Sequence, residues 1–163
     1  MEELNHLHAS RIIKMEACPA IQPDLPCGSF CLCKGAVRGE GATREYIDPS
    51  YPAVPDMQLL SKLLRSCGPS AQLSVFRSHD CANHESPYAP GGMERVRTWE
   101  ALGVDILDGG TSALYVVSSI LKLQAASAAV VNENYETGEA LTQEQTEAAL
   151  KQLFLAAAQA LTV

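Results

Sequence analysis

An α/β domain with a mainly parallel or mixed sheet flanked by helices is the fold class this sequence predicts, on three observations. Short alternating or β-branched segments take turns with windows of helical period, the pattern of a layered α/β structure. Of the 163 residues, 47% are apolar and 19% charged, which supplies a core and excludes a disordered tail or a collagen-like repeat. A chain of this length buries about 68–70% of its unfolded surface without metal or disulfide, so residues 1–163 are read as a single domain.

The N-terminal MEELNHLHASR carries early acids and no apolar stretch, so it reads as neither a signal peptide nor a spanning segment. Arg11 to Met15 (RIIKM) and Gly28 to Cys33 (GSFCLC) read as strands, separated by a turn in which Pro23, Asp24 and Pro26 forbid a helix. From Lys34 to Pro55 small polar residues, Gly and Pro predict a long loop. Asp56 then N-caps a helix whose apolar face is Met57, Leu59, Leu60, Leu63 and Leu64, stopped at Cys67-Gly68-Pro69. Ala71, Leu73, Val75 and Phe76 predict a strand ending at Arg77-Ser78.

After a polar segment, a helix is predicted from Met93 to Leu102, closed by Gly103. Val104 to Leu107 leads through Asp108-Gly109-Gly110 into a helix over Thr111 to Lys122. Ser127 to Val131 is the next strand, and Thr142 with Gln145 forms a capping box that opens a terminal helix reaching Leu161.

The net charge of −7, with basic residues scattered singly, argues against nucleic acid as a partner. Without an export signal the six cysteines read as reduced thiols, which predicts a cytoplasmic protein. Cys27, Cys31 and Cys33, or His79, Cys81 and His84, have poor spacing for zinc, so no metal is expected. No cysteine and histidine are paired by the sequence as a nucleophile and its base, and a helix C-terminus would raise the Cys67 thiol pKa. The Asp108-Gly109-Gly110 turn stands where strand ends feed helix starts, so its amides either face a ligand or simply make a tight turn. Glu133 follows the apolar SAAVV strand, where a carboxylate serves as a general acid or base or as a solvated surface residue.

The ordered segments RIIKMEACPAIQP, YPAVPDMQLLSKLL, LSVFRSHDCANHE and EALGVDILDGGTSALYVVSSILKLQAASAAVVNENYETGE carry a likeness over residues 11 to 161. They resemble the nucleoside phosphorylase family, the uridine and hexameric purine nucleoside phosphorylases with their nucleosidase relatives. The resemblance implies cleavage of a ribosyl bond by phosphate, giving a free base and a sugar 1-phosphate without metal or organic cofactor. It also implies self-association, or assembly with a family paralogue.

Carried over residue by residue, the phosphate segment falls on Lys14, Glu16, Ala17, Cys18 and Pro19. Lysine lacks the arginine fork, Glu16 adds negative charge and Pro19 removes an amide donor, all of which weaken phosphate binding. The Glu-Met-Glu segment that grips ribose falls on Asp108, Gly109 and Gly110, and the aromatic pair of the base pocket on Ala82 and Asn83. Glu133 takes the place of the aspartate that protonates the base in the purine enzymes. The likeness further implies that the family's first strands and its glycine-containing phosphate loop are lacking, which would leave a sheet edge uncovered.

Three function classes follow. The impaired sub-sites favour a non-catalytic family member or partner subunit, poorly active as an isolated chain. The alternatives are an active phosphorylase or nucleosidase with a divergent site, and a nucleoside- or base-binding module.

Overall fold

The computed structural model describes residues 1–81 and 92–162. The elements are α1 (Glu2–His6), β1 (Arg11–Ala20), β2 (Phe30–Gly39), a 3-10 helix (Ala42–Glu45), α2 (Met57–Cys67), β3 (Gln72–His79), α3 (Gly92–Ala101), β4 (Ile106–Asp108), α4 (Thr111–Leu121), β5 (Gln124–Asn134) and α5 (Gln143–Thr162). Strands alternate with helices as the sequence pattern requires. The sheet is mixed: β1 and β5, β2 and β3, and β3 and β4 run parallel, while β1 meets β4 and β2 meets β5 antiparallel.

The sheet closes on itself in the order β1-β4-β3-β2-β5. The uncovered edge expected from the sequence is therefore not found at β1, which pairs with β5 along its length and with β4 at Ala20 and Ile106. Closure removes edges by pairing them.

Period-two alternation divides β5 between two cores. Ala125, Ala129 and Val131 join Cys18, Cys31, Cys33, Phe76 and Tyr115 on the face toward α4. Ala126, Ala128 and Val130 pack with Leu60, Leu63, Leu153 and Ala157 on the face toward α2 and α5. The small alanines let both layers approach the strand closely. The same alternation places Cys31 and Cys33 on one face and Leu32 on the other, all fully buried, so these thiols are core residues. Burial pushes the Cys31 thiol up to about 11 and the Cys33 thiol up to about 12.

Several strands are longer than the sequence suggests. β1 continues past Met15 to Ala20, and Pro19 is accommodated because the ladder with β5 slips between Cys18 and Pro19, where a missing amide costs no regular bond. β2 starts at Phe30 and runs to Gly39, so the predicted loop from Lys34 begins inside a strand. Its pairs with β3, such as Ala36 with Phe76 and Val37 with Arg77, are long-range and leave no local signature. Gly39 is needed here because a Cβ would stand 2.5 Å from the Ser78 carbonyl oxygen.

The helices begin and end on the predicted caps. Asp56 accepts a hydrogen bond from the Leu59 amide at 2.8 Å, and α2 stops at Gly68 with φ 80°. α3 ends before Gly103, φ 77°. Thr142 and Gln145 exchange reciprocal bonds at 2.9 and 3.2 Å before α5. Asp56→Ala is expected to cost about 1 kcal/mol, or roughly 2–4 °C of melting temperature followed by circular dichroism; an unchanged melting temperature would deny the cap its role.

Candidate functional site

The site is assembled by three strand ends and the start of one helix. Along β1, Lys14, Glu16 and Cys18 share a face because they are two residues apart. Parallel pairing sets Ser78 of β3 beside Asp108 of β4. Asp108 is the last residue of β4, and Gly109-Gly110 carries the chain directly into α4.

Asp108 is the centre of this arrangement, with a side chain that is 0% exposed. Its Oδ1 accepts from the Ser78 hydroxyl at 2.5 Å. Its Oδ2 accepts from the Gly110 amide at 3.0 Å, the Thr111 amide at 2.7 Å and Lys14 Nζ at 3.1 Å. Burial pushes the Asp108 carboxyl up, but the Lys14 charge and the bonds from Ser78, Thr111 and Gly110 outweigh it and hold it down at about 2. It is an anion throughout the neutral range.

The Gly110 amide and the Thr111 amide after it are thus already bonded to Asp108. Neither glycine is demanded by backbone conformation: Gly110 has an extended φ of −174°, and an added Cβ at Gly109 or Gly110 meets nothing within 4 Å. What the glycines leave is space.

Lys14 also bonds to the Glu16 carboxylate, so one ammonium serves two carboxylates. Burial, outweighed by the charges of Asp108 and Glu16, leaves the Lys14 pKa raised. Glu16 is raised too, by burial first, with Lys14 opposing and Asp108 reinforcing. The pairing of Lys14 with Glu16 follows from period two along β1, a signal present in the sequence that residue-by-residue matching passed over.

A cavity of about 430 Å³ opens in front of these groups, lined by Glu16, Ala17, Cys18, Pro19, His79, Asp80, Cys81, Leu107, Asp108 and Gly109. It brings together Ala17, Cys18, Asp108 and Gly109 from the sequence reading. Lys14 and Gly110 line a neighbouring hollow of about 560 Å³ with Tyr46 and Leu114. Burial, with the nearby carboxylates of Glu16 and Asp108, pushes the Cys18 thiol far up, which disfavours the thiolate a nucleophile needs. Cys67 is pushed up to about 11 by burial, a different cause from the helix dipole that the sequence suggested. Ala82, Asn83 and His84 lie outside the described residues.

Glu133 is not among the residues that line either hollow. β5 stays in phase with β1 as far as Val131 opposite Cys18; Asn132 is then skipped, and Glu133 stands opposite Pro19. A one-residue bulge moves every following side chain to the other face. Glu133 accordingly leaves the face of Lys14, Glu16 and Cys18. It bridges to Ala140, and after burial its charge and that of Glu139 push up the Cys27 thiol.

Behind the cavity runs a polar chain that the sequence reading missed. The Ser112 amide donates to Ser78 Oγ at 2.8 Å, and the Ser112 hydroxyl donates to Glu40 at 2.9 Å. Glu40 is buried and also accepts the Thr43 amide and hydroxyl at 2.9 and 2.6 Å. Thr111 and Ser127 share a hydroxyl bond at 2.9 Å. Among the described residues, no group of three or more His, Cys, Asp or Glu is placed to hold a metal, and no helix is long and apolar enough to cross a membrane.

The family model described as the phosphorylase superfamily matches residues 1–162. The uridine phosphorylase of Treponema pallidum is 25% identical over 142 residues, covering 82% of this chain and 55% of that protein. The guanosine phosphorylase of Halorubrum lacusprofundi is 23% identical over 141 residues, with 85% of this chain and 56% of that protein covered. The purine nucleoside phosphorylase of Plasmodium falciparum is 25% identical over 134 residues, with 80% and 54% covered. The chain spans about half the length of these curated relatives.

Proposed function

Because the chain belongs to the phosphorylase superfamily, we propose that the cavity beside Asp108 binds a nucleoside or free base, and that the isolated chain is a poor catalyst of phosphorolysis. The observation that carries this is the state of Lys14: its ammonium is already shared between Glu16 and Asp108. An incoming phosphate dianion meets two carboxylates for one cation, without the bidentate arginine fork that suits it.

In this reading Asp108, Gly109 and Gly110 stand at the sugar, Ala82 and Asn83 at the base, and Lys14, Ala17 and Cys18 on the phosphate side. Glu133 is the proposed proton donor to the base. The bulge at Asn132 asks that ligand or a neighbouring subunit bring the two together. Self-association, or assembly with a family paralogue, and a cytoplasmic setting belong to the same proposal. The names of the relatives, all phosphorylases, favour a second reading as an active enzyme with a divergent site.

The test is release of free base from adenosine, inosine and uridine in phosphate, beside the Treponema pallidum enzyme. Phosphate-dependent turnover is expected to be lower by roughly 10²-fold or more, the scale of losing one preorganised anion contact. Nucleoside should still raise the melting temperature. Turnover matching that enzyme would overturn the impaired reading, and full turnover by Glu133→Gln would remove Glu133 from the mechanism.

A further inference from the structure

Resting on the reading that the cavity beside Asp108 takes a nucleoside, we propose that this nucleoside carries an apolar group esterified to its 2′ or 3′ hydroxyl. The group crosses Gly109-Gly110 and enters the hollow between the N-terminal segment and α4.

A free hydroxyl shut away from water needs an acceptor for its proton. With the sugar beside Asp108 and the two glycines, the vicinal 2′ and 3′ hydroxyls are the paired donors that a carboxylate there would have to grip. A carboxylate has about four lone-pair sites, and those of Asp108 already meet Ser78, Gly110, Thr111 and Lys14. Its side chain is wholly buried. The glycines bring no side chain to replace it. An ester oxygen has no proton to place, so esterification removes the unmatched donor.

Space for the added group is already present. A Cβ at Gly109 or Gly110 would meet nothing within 4 Å. Gly109 lines the cavity and Gly110 the neighbouring hollow, so the pair forms a low sill between them. Beyond the sill, about 560 Å³ is walled by Met1, Ala42, Tyr46 and the α4 residues Ala113, Leu114 and Val117. That is the size and the mostly apolar lining of a small-molecule pocket.

Charge selects a neutral carbon group over a phosphate ester. Lys14 lines the hollow, but its ammonium is turned to Glu16, to Asp108 and, at 3.5 Å, to Thr111 Oγ1. Glu2 and Glu3 stand on the same wall as Met1, and Glu2 accepts the Tyr46 hydroxyl at 2.9 Å. An anion would face these carboxylates with the lysine already engaged.

The experiment titrates the full chain with the mixed 2′(3′)-O-(N-methylanthraniloyl) esters of adenosine and uridine, whose fluorescence rises in apolar surroundings. The parent nucleosides and the corresponding 5′-esters are measured by calorimetry. The 2′(3′)-ester of at least one nucleoside should bind tighter than its parent by about 10-fold or more, the scale of burying one apolar group. Ala113→Phe and Ala42→Phe fill the hollow from two walls, at positions that are half-buried and exposed. Each should abolish the gain while the parent nucleoside keeps its affinity within about two-fold. Esters that bind no tighter than their parents, a gain that survives both variants, or a larger gain from the 5′-esters would each overturn the proposal and leave the nucleoside reading standing. Failure of parents and esters alike to bind would remove that reading and this inference with it.

Discussion

Asp108→Ala is expected to destabilise the domain by about 3–5 kcal/mol, the cost of removing one partner of a buried ion pair. The deletion leaves the Lys14 ammonium with Glu16 as its one remaining carboxylate and removes the acceptor of the Ser78 hydroxyl and of the Gly110 and Thr111 amides. Urea denaturation at neutral pH measures the loss, and a change below about 1 kcal/mol would show that the network contributes little.

The same residue sets an acid limb. Its carboxyl titrates at about 2 in the fold against an ordinary 3.8. A depressed carboxylate contributes stability that is complete above the ordinary value and is lost as pH falls through the folded one. The size is about 2 kcal/mol. Asp108→Asn, which keeps the shape, should lose this pH dependence between about pH 4 and 2. An unaltered acid limb in that variant would assign it to other groups.

Arg38→Lys should free the segment from Thr43 to Tyr51 while leaving the barrel folded. The guanidinium binds Thr43 Oγ1 through Nε at 3.0 Å, the Asp48 and Tyr51 carbonyls through Nη1 at 2.7 Å each, and the Thr43 and Ile47 carbonyls through Nη2 at 3.2 and 3.1 Å. An ammonium has neither five donors nor their fixed plane. Part of the lost bonding is replaced by water at the exposed carbonyls, so the net cost is about 2–3 kcal/mol, the scale of a charge-assisted bond. Faster amide exchange and protease cleavage confined to this segment are the readouts; equal protection in variant and parent would refute the tie.

The consequence extends to the site, since Thr43 holds Glu40, Glu40 holds Ser112, and Ser112 meets the Ser78 that bonds Asp108. Here lies the physical form of the stretch that composition marks as a loop. Gly, Pro and small polar residues predict a loop from Lys34, whereas β2 runs on to Gly39 and a 3-10 helix follows at Ala42–Glu45, and composition does not say that Arg38, near the end of that strand, organises what comes after it. Arg38 looks in the sequence like any solitary surface cation.

The site shows the same division. A carboxylate at the end of a short strand, before two glycines and a helix, places Asp108 at a sheet's carboxyl end from local pattern alone. Glu133 has an equally good local pattern, yet a skipped residue at Asn132 turns it away from the cavity face. No feature of SAAVVNEN announces that bulge, because it arises from matching β5 against Pro19 on β1.

Caps, helix periods, the two-faced apolar run of β5 and family membership were determined by the sequence itself, because each depends on side chains within a turn or two of one another or on the order of segments along the chain. Closure of the barrel, the extra length of β1 and β2, the sharing of Lys14 between two carboxylates and the facing of Glu133 were decided only in three dimensions. Those features are set by strand register between distant segments, and a shift of one residue there reverses which groups meet while leaving the local pattern unchanged.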